Sequence, residues 1–120
     1  MSTRVLIADD SPLVRGLIRN FLEKKEDVEV CAETADGQQT IDAALDLSPD
    51  LLILDVLMPK LNGIQVASIL KKKLPKTRTI VFTMYGDYIK NLALAAGVSI
   101  IVSKPDGIRA LLQAVDALLH

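Results

Sequence analysis

Short apolar runs alternate with segments of helical periodicity from one end of the chain to the other, and this alternation admits few folds. Residues 4–8 (RVLIA) read as a buried strand, and Ser11-Pro12 then supplies an N-cap followed by proline at the first helical position. Val14, Leu17, Ile18, Phe21 and Leu22 follow at i, i+3, i+4, i+7 and i+8, one apolar stripe. Residues 28–33 read as a second strand, and Ala35-Asp36-Gly37 turns into a helix whose apolar side holds Ile41, Ala44 and Leu45. Residues 51–54 are continuously apolar, as in a strand covered on both faces. After the loop VLMPKLNG, Val66, Ile69, Leu70 and Leu74 mark a third helix, and residues 79–83 a fourth strand. Gly86-Asp87 is expected to cap a helix carrying Ile89, Leu92, Ala93 and Ala96 and stopped by Gly97. Residues 99–102 form a fifth strand, ending at Ser103-Lys104-Pro105. Ile108, Leu111, Leu112, Val115, Leu118 and Leu119 stripe the last helix, which is expected to run to His120.

Five strand–helix units joined by short loops require right-handed crossovers and helices on both sheet faces, so the expected fold is doubly wound α/β with a parallel five-stranded sheet. The 120 residues read as a single domain, 1–120, long enough for a core without metal or disulfide staples. Fourteen basic residues against 15 acidic give a net charge of −1, which argues against nucleic-acid binding. No apolar window reaches the roughly 18 residues of a membrane helix. With a single cysteine, Cys31, a cytoplasmic chain is expected.

In such a sheet ligands bind beyond the C-terminal ends of the strands. The residues there are Asp9 and Asp10 after the first strand, Asp55 after the third, Thr83 ending the fourth and Lys104 after the fifth. Three converging carboxylates repel unless a cation joins them, and oxygen-only donors favour magnesium or manganese over zinc. Lys104 and Thr83 add an ammonium and a hydroxyl, the groups wanted around a phosphoryl whose charge spreads over three oxygens. Taken singly, Asp10 is a capping charge, Asp55 a turn residue, Thr83 a strand end and Lys104 a surface cation. Their joint placement on one edge is what points to a site.

The pair Asp9-Asp10, the segment DVLMPKLNG beginning at Asp55, Thr83 and Lys104-Pro105 stand in the order and spacing of the receiver domain of bacterial two-component response regulators, which the whole chain resembles. The resemblance implies a flavodoxin-like strand order 2-1-3-4-5 and a phosphoacceptor switch. Asp55 would accept a phosphoryl group from a sensor histidine kinase, a phosphotransfer protein or a small phosphodonor. Asp10, Asp55 and the backbone carbonyl of Leu57 would hold Mg2+, and Asp9 would act through metal-bound water. Lys104, carried by a Lys-Pro bond that is usually cis in the family, would pair with the phosphoryl oxygens. Thr83 would hydrogen-bond the phosphorylated Asp55 and bias an output surface of helix 4, strand 5 and helix 5 toward a downstream protein, an output domain such as a transcriptional one, or a homodimer. Such a chain is a switch and not an enzyme. Three positions depart from the family pattern: Ile101 where an aromatic is usual, Met84 where a small residue is usual, and Asp106 in place of the apolar or aromatic residue often found after the Lys-Pro pair. The departures at Ile101 and Met84 motivate an alternative, an interaction or dimerisation module independent of phosphorylation.

Lys71, Lys72, Lys73, Lys76 and Arg78 form a basic cluster without interleaved aromatics, read as a solvated helix end or a contact to a kinase. The single histidine, His120, and Cys31 cannot assemble a hydrolase triad. A phosphohydrolase on a related fold would need an aspartate two residues after Asp55, where Leu57 stands.

Overall fold

The structure, a computed structural model, describes residues 2–119; His120 lies outside them. The elements run β1 (Thr3–Ala8), α1 (Pro12–Glu23), β2 (Val28–Thr34), α2 (Gly37–Leu47), β3 (Leu51–Leu54), α3 (Gly63–Lys73), β4 (Arg78–Thr83), α4 (Gly86–Ala95), β5 (Ile100–Ser103), a 3-10 turn (Lys104–Asp106) and α5 (Gly107–Leu119). All strand pairs are parallel, in the order β2-β1-β3-β4-β5. The chain therefore winds outward in two directions from β1, and the strand order reverses between β1 and β3.

The apolar runs are continuous because alternate residues fill two cores. Leu6, Ala8, Leu52, Leu54 and Val81 face α2, α3 and α4, where Ile41, Ala44, Val66, Ala67, Leu70 and Ala93 are buried. Val5, Ile7, Leu51, Ile53, Ile80 and Phe82 face α1 and α5, against Ile18, Leu22, Leu111 and Val115. The period of two places neighbours on opposite faces, so a strand covered on both sides needs apolar residues at every position.

Caps follow local chemistry. Ser11 accepts a hydrogen bond from Val14 N and Asp36 one from Gln39 N, and Asn62 with Gln65 forms a reciprocal capping box. The expected Gly86-Asp87 cap is corrected: Tyr85 holds the cap position without a side-chain bond, and Gly86 is already helical. A Cβ at Gly86 would stand 2.7 Å from Ser103 Oγ, so close packing of α4 on β5 sets this helix end. The helix faces are also narrower than their apolar stripes. Leu17, Leu45 and Leu92 belong to the stripes, yet each is exposed, Leu92 by 62%. Neighbours at i±1, here Ile18, Ala44 and Ala93, occupy the buried arc instead.

Candidate functional site

Register brings the acidic residues together. Ala8 pairs with Leu54, and Asp55 N donates to Ala8 O at 2.9 Å, so Asp9 and Asp55 leave adjacent central strands side by side. Both are buried; Asp10 is exposed. One carboxylate oxygen from each of Asp9, Asp10 and Asp55 lies within 4.8 Å of the others. The donor set is entirely hard oxygen and opens to solvent on the Asp10 side, which fits a divalent cation of the magnesium type that keeps part of its water shell.

Lys104 closes the cluster from the far edge of the sheet. Its Nζ donates to Asp9 Oδ2 at 2.8 Å and to Asp55 Oδ2 at 3.2 Å. Among the described residues no peptide bond is cis, so the Lys104-Pro105 bond is trans, contrary to the expectation carried by the resemblance. The ammonium reaches the site from the first residue of the 3-10 turn. Burial raises the Asp55 carboxyl above its ordinary value, with Lys104 pulling it down and neighbouring Asp9 pushing it up. Burial works against the Lys104 ammonium, but its bond to Asp9 and the charge of Asp55 outweigh that and leave it raised.

Asp9 is held on every side. Its N donates to Thr34 O at 3.1 Å, its Oδ1 accepts from Ser11 N at 2.9 Å, its Oδ2 takes Lys104, and its carbonyl accepts from Arg15 Nη1 at 2.7 Å. Sequence reading missed Arg15; its one sign was a pair of arginines, Arg15 and Arg19, beside the apolar stripe of α1.

Thr83 is fully buried at the end of β4, its hydroxyl accepting from Tyr85 N at 3.3 Å and contributing to lowering the Asp55 pKa. Met84 is 58% exposed and lines a shallow groove with Tyr88 and Pro105. Ile101 lies half-buried on β5, packed against the core under α4, and shares a second groove with Asp87, Leu94 and Asp106.

The loop after Asp55 rests on the start of α2. Gly37 N donates to Pro59 O at 3.1 Å, and a Cβ at Gly37 would lie 2.2 Å from Leu61 O. Gly63 N donates to Val56 O at 2.8 Å, and a Cβ there would lie 2.3 Å from Asp55 O. Lys60 has φ +72°, and its Nζ stands 3.8 Å from Asp36 Oδ2. Leu57 falls inside this braced stretch, two residues beyond Asp55.

The basic cluster is elsewhere. Lys71, Lys72 and Lys73 end α3 and Arg78 begins β4, at the N-terminal edge of the sheet, so the length of β4 (six residues, roughly 20 Å) separates them from the site. Lys71 lays its aliphatic stem along Gly97, and Arg78 donates to Leu118 O at the end of α5.

No helix among the described residues is long and apolar enough to cross a membrane. Residues 5–116 match the family model of the response regulator receiver domain. The response regulator protein VraR of Staphylococcus aureus is 34% identical over 116 residues, 96% of this chain and 56% of that protein. The protein-glutamate methylesterase/protein-glutamine glutaminase of Maricaulis maris is 35% identical over 105 residues, 85% of this chain and 26% of that protein. This chain thus spans between about a quarter and just over half of these relatives. Among solved structures, the response regulator domain of Thermotoga maritima CheB superposes with a TM-score of 0.86 at 31% identity, covering 99% of this chain and 92% of that one.

Proposed function

The chain belongs to the response regulator receiver domains of two-component systems, and from that premise we propose that it is a magnesium-dependent phosphoacceptor switch whose nucleophile is Asp55. The observation that carries this reading is the convergence of Asp9, Asp10 and Asp55 within 4.8 Å with Lys104 bonded to two of them. A free carboxylate oxygen of Asp55 attacks the phosphorus of a phosphohistidine or of a small phosphodonor such as acetyl phosphate. An Oδ–P bond forms, the P–N or P–O bond to the donor breaks, and the leaving group takes the electron pair. The attack needs Asp55 ionised; Lys104 opposes the burial that favours its protonated form.

Asp10, Asp55 and the carbonyl of Leu57 would hold Mg2+, with Asp9 reaching it through water; when bound, the ion supplies charge neutralisation and a template for the phosphoryl oxygens. Lys104 then exchanges its carboxylate partners for a phosphoryl oxygen, and the Thr83 hydroxyl donates to another. That donation draws the segment after β4 inward and shifts the face of α4, β5 and α5, which carries the signal to a downstream protein, an attached output domain or a second copy. The domain is a cytoplasmic switch that takes part in its own phosphorylation and is not an enzyme. Its upstream partner is a sensor histidine kinase or phosphotransfer protein.

The test is incubation with acetyl phosphate with and without Mg2+, read by intact mass on wild type and Asp55→Asn, with an NMR spectrum of each state. A magnesium-dependent gain of one phosphoryl on wild type alone, with shifts in α4 and α5, supports the reading. Phosphorylation without those shifts favours an interaction module whose output does not depend on phosphorylation, the reading that Ile101 and Met84 motivate. No gain with any donor overturns the phosphoacceptor reading.

A further inference from the structure

We propose that Arg15 is a positioning residue that sets the geometry of the Asp9-Asp10 turn for metal binding, with Glu33 as its anchor; this rests on the reading of the acidic cluster as a Mg2+ site. Arg15 projects from the first turn of α1 and its side chain is only 17% exposed. Its guanidinium is engaged on two sides. Nη1 donates to Asp9 O at 2.7 Å, and Nε donates to Glu33 Oε1 at 3.2 Å. Glu33, near the end of β2, is itself steadied by Arg19 Nη1 on Oε2 at 2.7 Å. The planar fork is thus fixed at both ends, as a lysine in its place would not be.

The carbonyl that Arg15 grips belongs to the peptide joining Asp9 to Asp10. That unit is planar, so fixing the oxygen of Asp9 fixes the direction in which the Asp10 Cα leaves it. Asp9 has three further restraints, from Thr34, Ser11 and Lys104. Asp10 is the exposed member of the cluster. Its approach to Asp55 therefore depends on the peptide plane that precedes it, and Arg15 is the side chain bonded to that plane.

Charge and position predict opposite signs when Arg15 is removed. A cation bonded to the Asp9 carbonyl stands beside the acidic cluster and disfavours a second cation there, so loss of its charge alone would tighten Mg2+ binding. Loss of orientation would weaken it, because partners that orient ligands typically account for about 10–100-fold in metal affinity. The local charge effect is reduced by Glu33, which pairs with Arg15 directly.

The experiment is Mg2+ titration by calorimetry of wild type, Arg15→Ala, Arg15→Lys and Glu33→Gln, with thermal melts to establish that each is folded. Amide hydrogen exchange at Asp10 and Ser11 is followed in the metal-free proteins. We expect Arg15→Ala to bind about 10-fold more weakly and to exchange faster at those amides without metal. Arg15→Lys should recover only part of the loss, and Glu33→Gln should shift in the same direction as Arg15→Ala. Equal or tighter binding by Arg15→Ala, beside a wild type that binds, overturns the inference and leaves the metal site standing. A wild type that takes up no Mg2+ overturns the metal site and the inference together.

Discussion

Lys104 holds its ammonium nearer to Asp9, at 2.8 Å, than to the proposed nucleophile Asp55, at 3.2 Å. The cation is thus shared between two buried carboxylates that belong to different strands, and it compensates the charge of both. Removing it leaves those carboxylates beside Asp10 with no partner of opposite sign at that position. Lys104→Met is expected to destabilise the metal-free domain by about 3 kcal/mol, the lower end for breaking a buried pair, since the lysine side chain keeps 18% of its exposure. Denaturant unfolding without and with Mg2+ checks this; the deficit should shrink when the ion is present.

Asp55→Asn should raise stability near neutral pH. The folded carboxyl is raised above its ordinary value of 3.8, so its favourable contribution is present below that value and is lost as pH rises through the raised one. Asparagine removes that loss. Melting temperatures of wild type and Asp55→Asn should draw together toward acid and separate above the ordinary carboxylate range.

Lys104 predicts a second, alkaline limb. Its folded pKa is raised from 10.5, so its contribution is complete below 10.5 and disappears as pH climbs through the raised value. A melt series into that range should show wild type losing stability more steeply than Lys104→Met.

Magnesium is expected to stabilise wild type by about 2.7 kcal/mol at 100 times its dissociation constant. Asp10→Asn should bind it more weakly while changing metal-free stability little, because Asp10 is exposed. Equal shifts in melting temperature for wild type and Asp10→Asn at the same Mg2+ concentration would sink the assignment of Asp10 as a ligand.

Gly37→Ala is expected to disturb the loop after Asp55 although it lies on another element. Its new methyl would fall 2.2 Å from the backbone oxygen of Leu61, and backbone yields less readily than a side chain. A cost of roughly 1–3 kcal/mol, with NMR shifts across residues 57–62, is expected. Leu92→Ser on α4, by contrast, should stay within about 0.5 kcal/mol, since that side chain is 62% exposed.

Much of this was legible beforehand because it is local or periodic. Ser11-Pro12 starts a helix by hydrogen bonding and a fixed φ; Leu51–Leu54 is apolar throughout because both its faces are covered; Asp9, Asp55, Thr83 and Lys104 end or follow strands. Those features depend on a residue and its near neighbours. The strand order came from family resemblance, since periodicity locates strands without ordering them.

Which of these local features meet, and at what distance, depends on packing between elements far apart in the chain. Leu92 fits its stripe as well as Ala93 does, yet only packing against the sheet shows which of the two is buried. Arg15 and Glu33 are 18 residues apart and become partners only because α1 lies beside the end of β2. The basic run 71–78 reads in the sequence as a charged helix end, and the parallel direction of β4 places it at the opposite edge of the sheet from the acidic residues. The elements, their apolar positions and the edge on which the acidic residues stand follow from local periodicity and strand direction. The folded chain decided how Asp9, Asp10, Asp55 and Lys104 converge, because that depends on strand register and loop packing between residues distant along the chain.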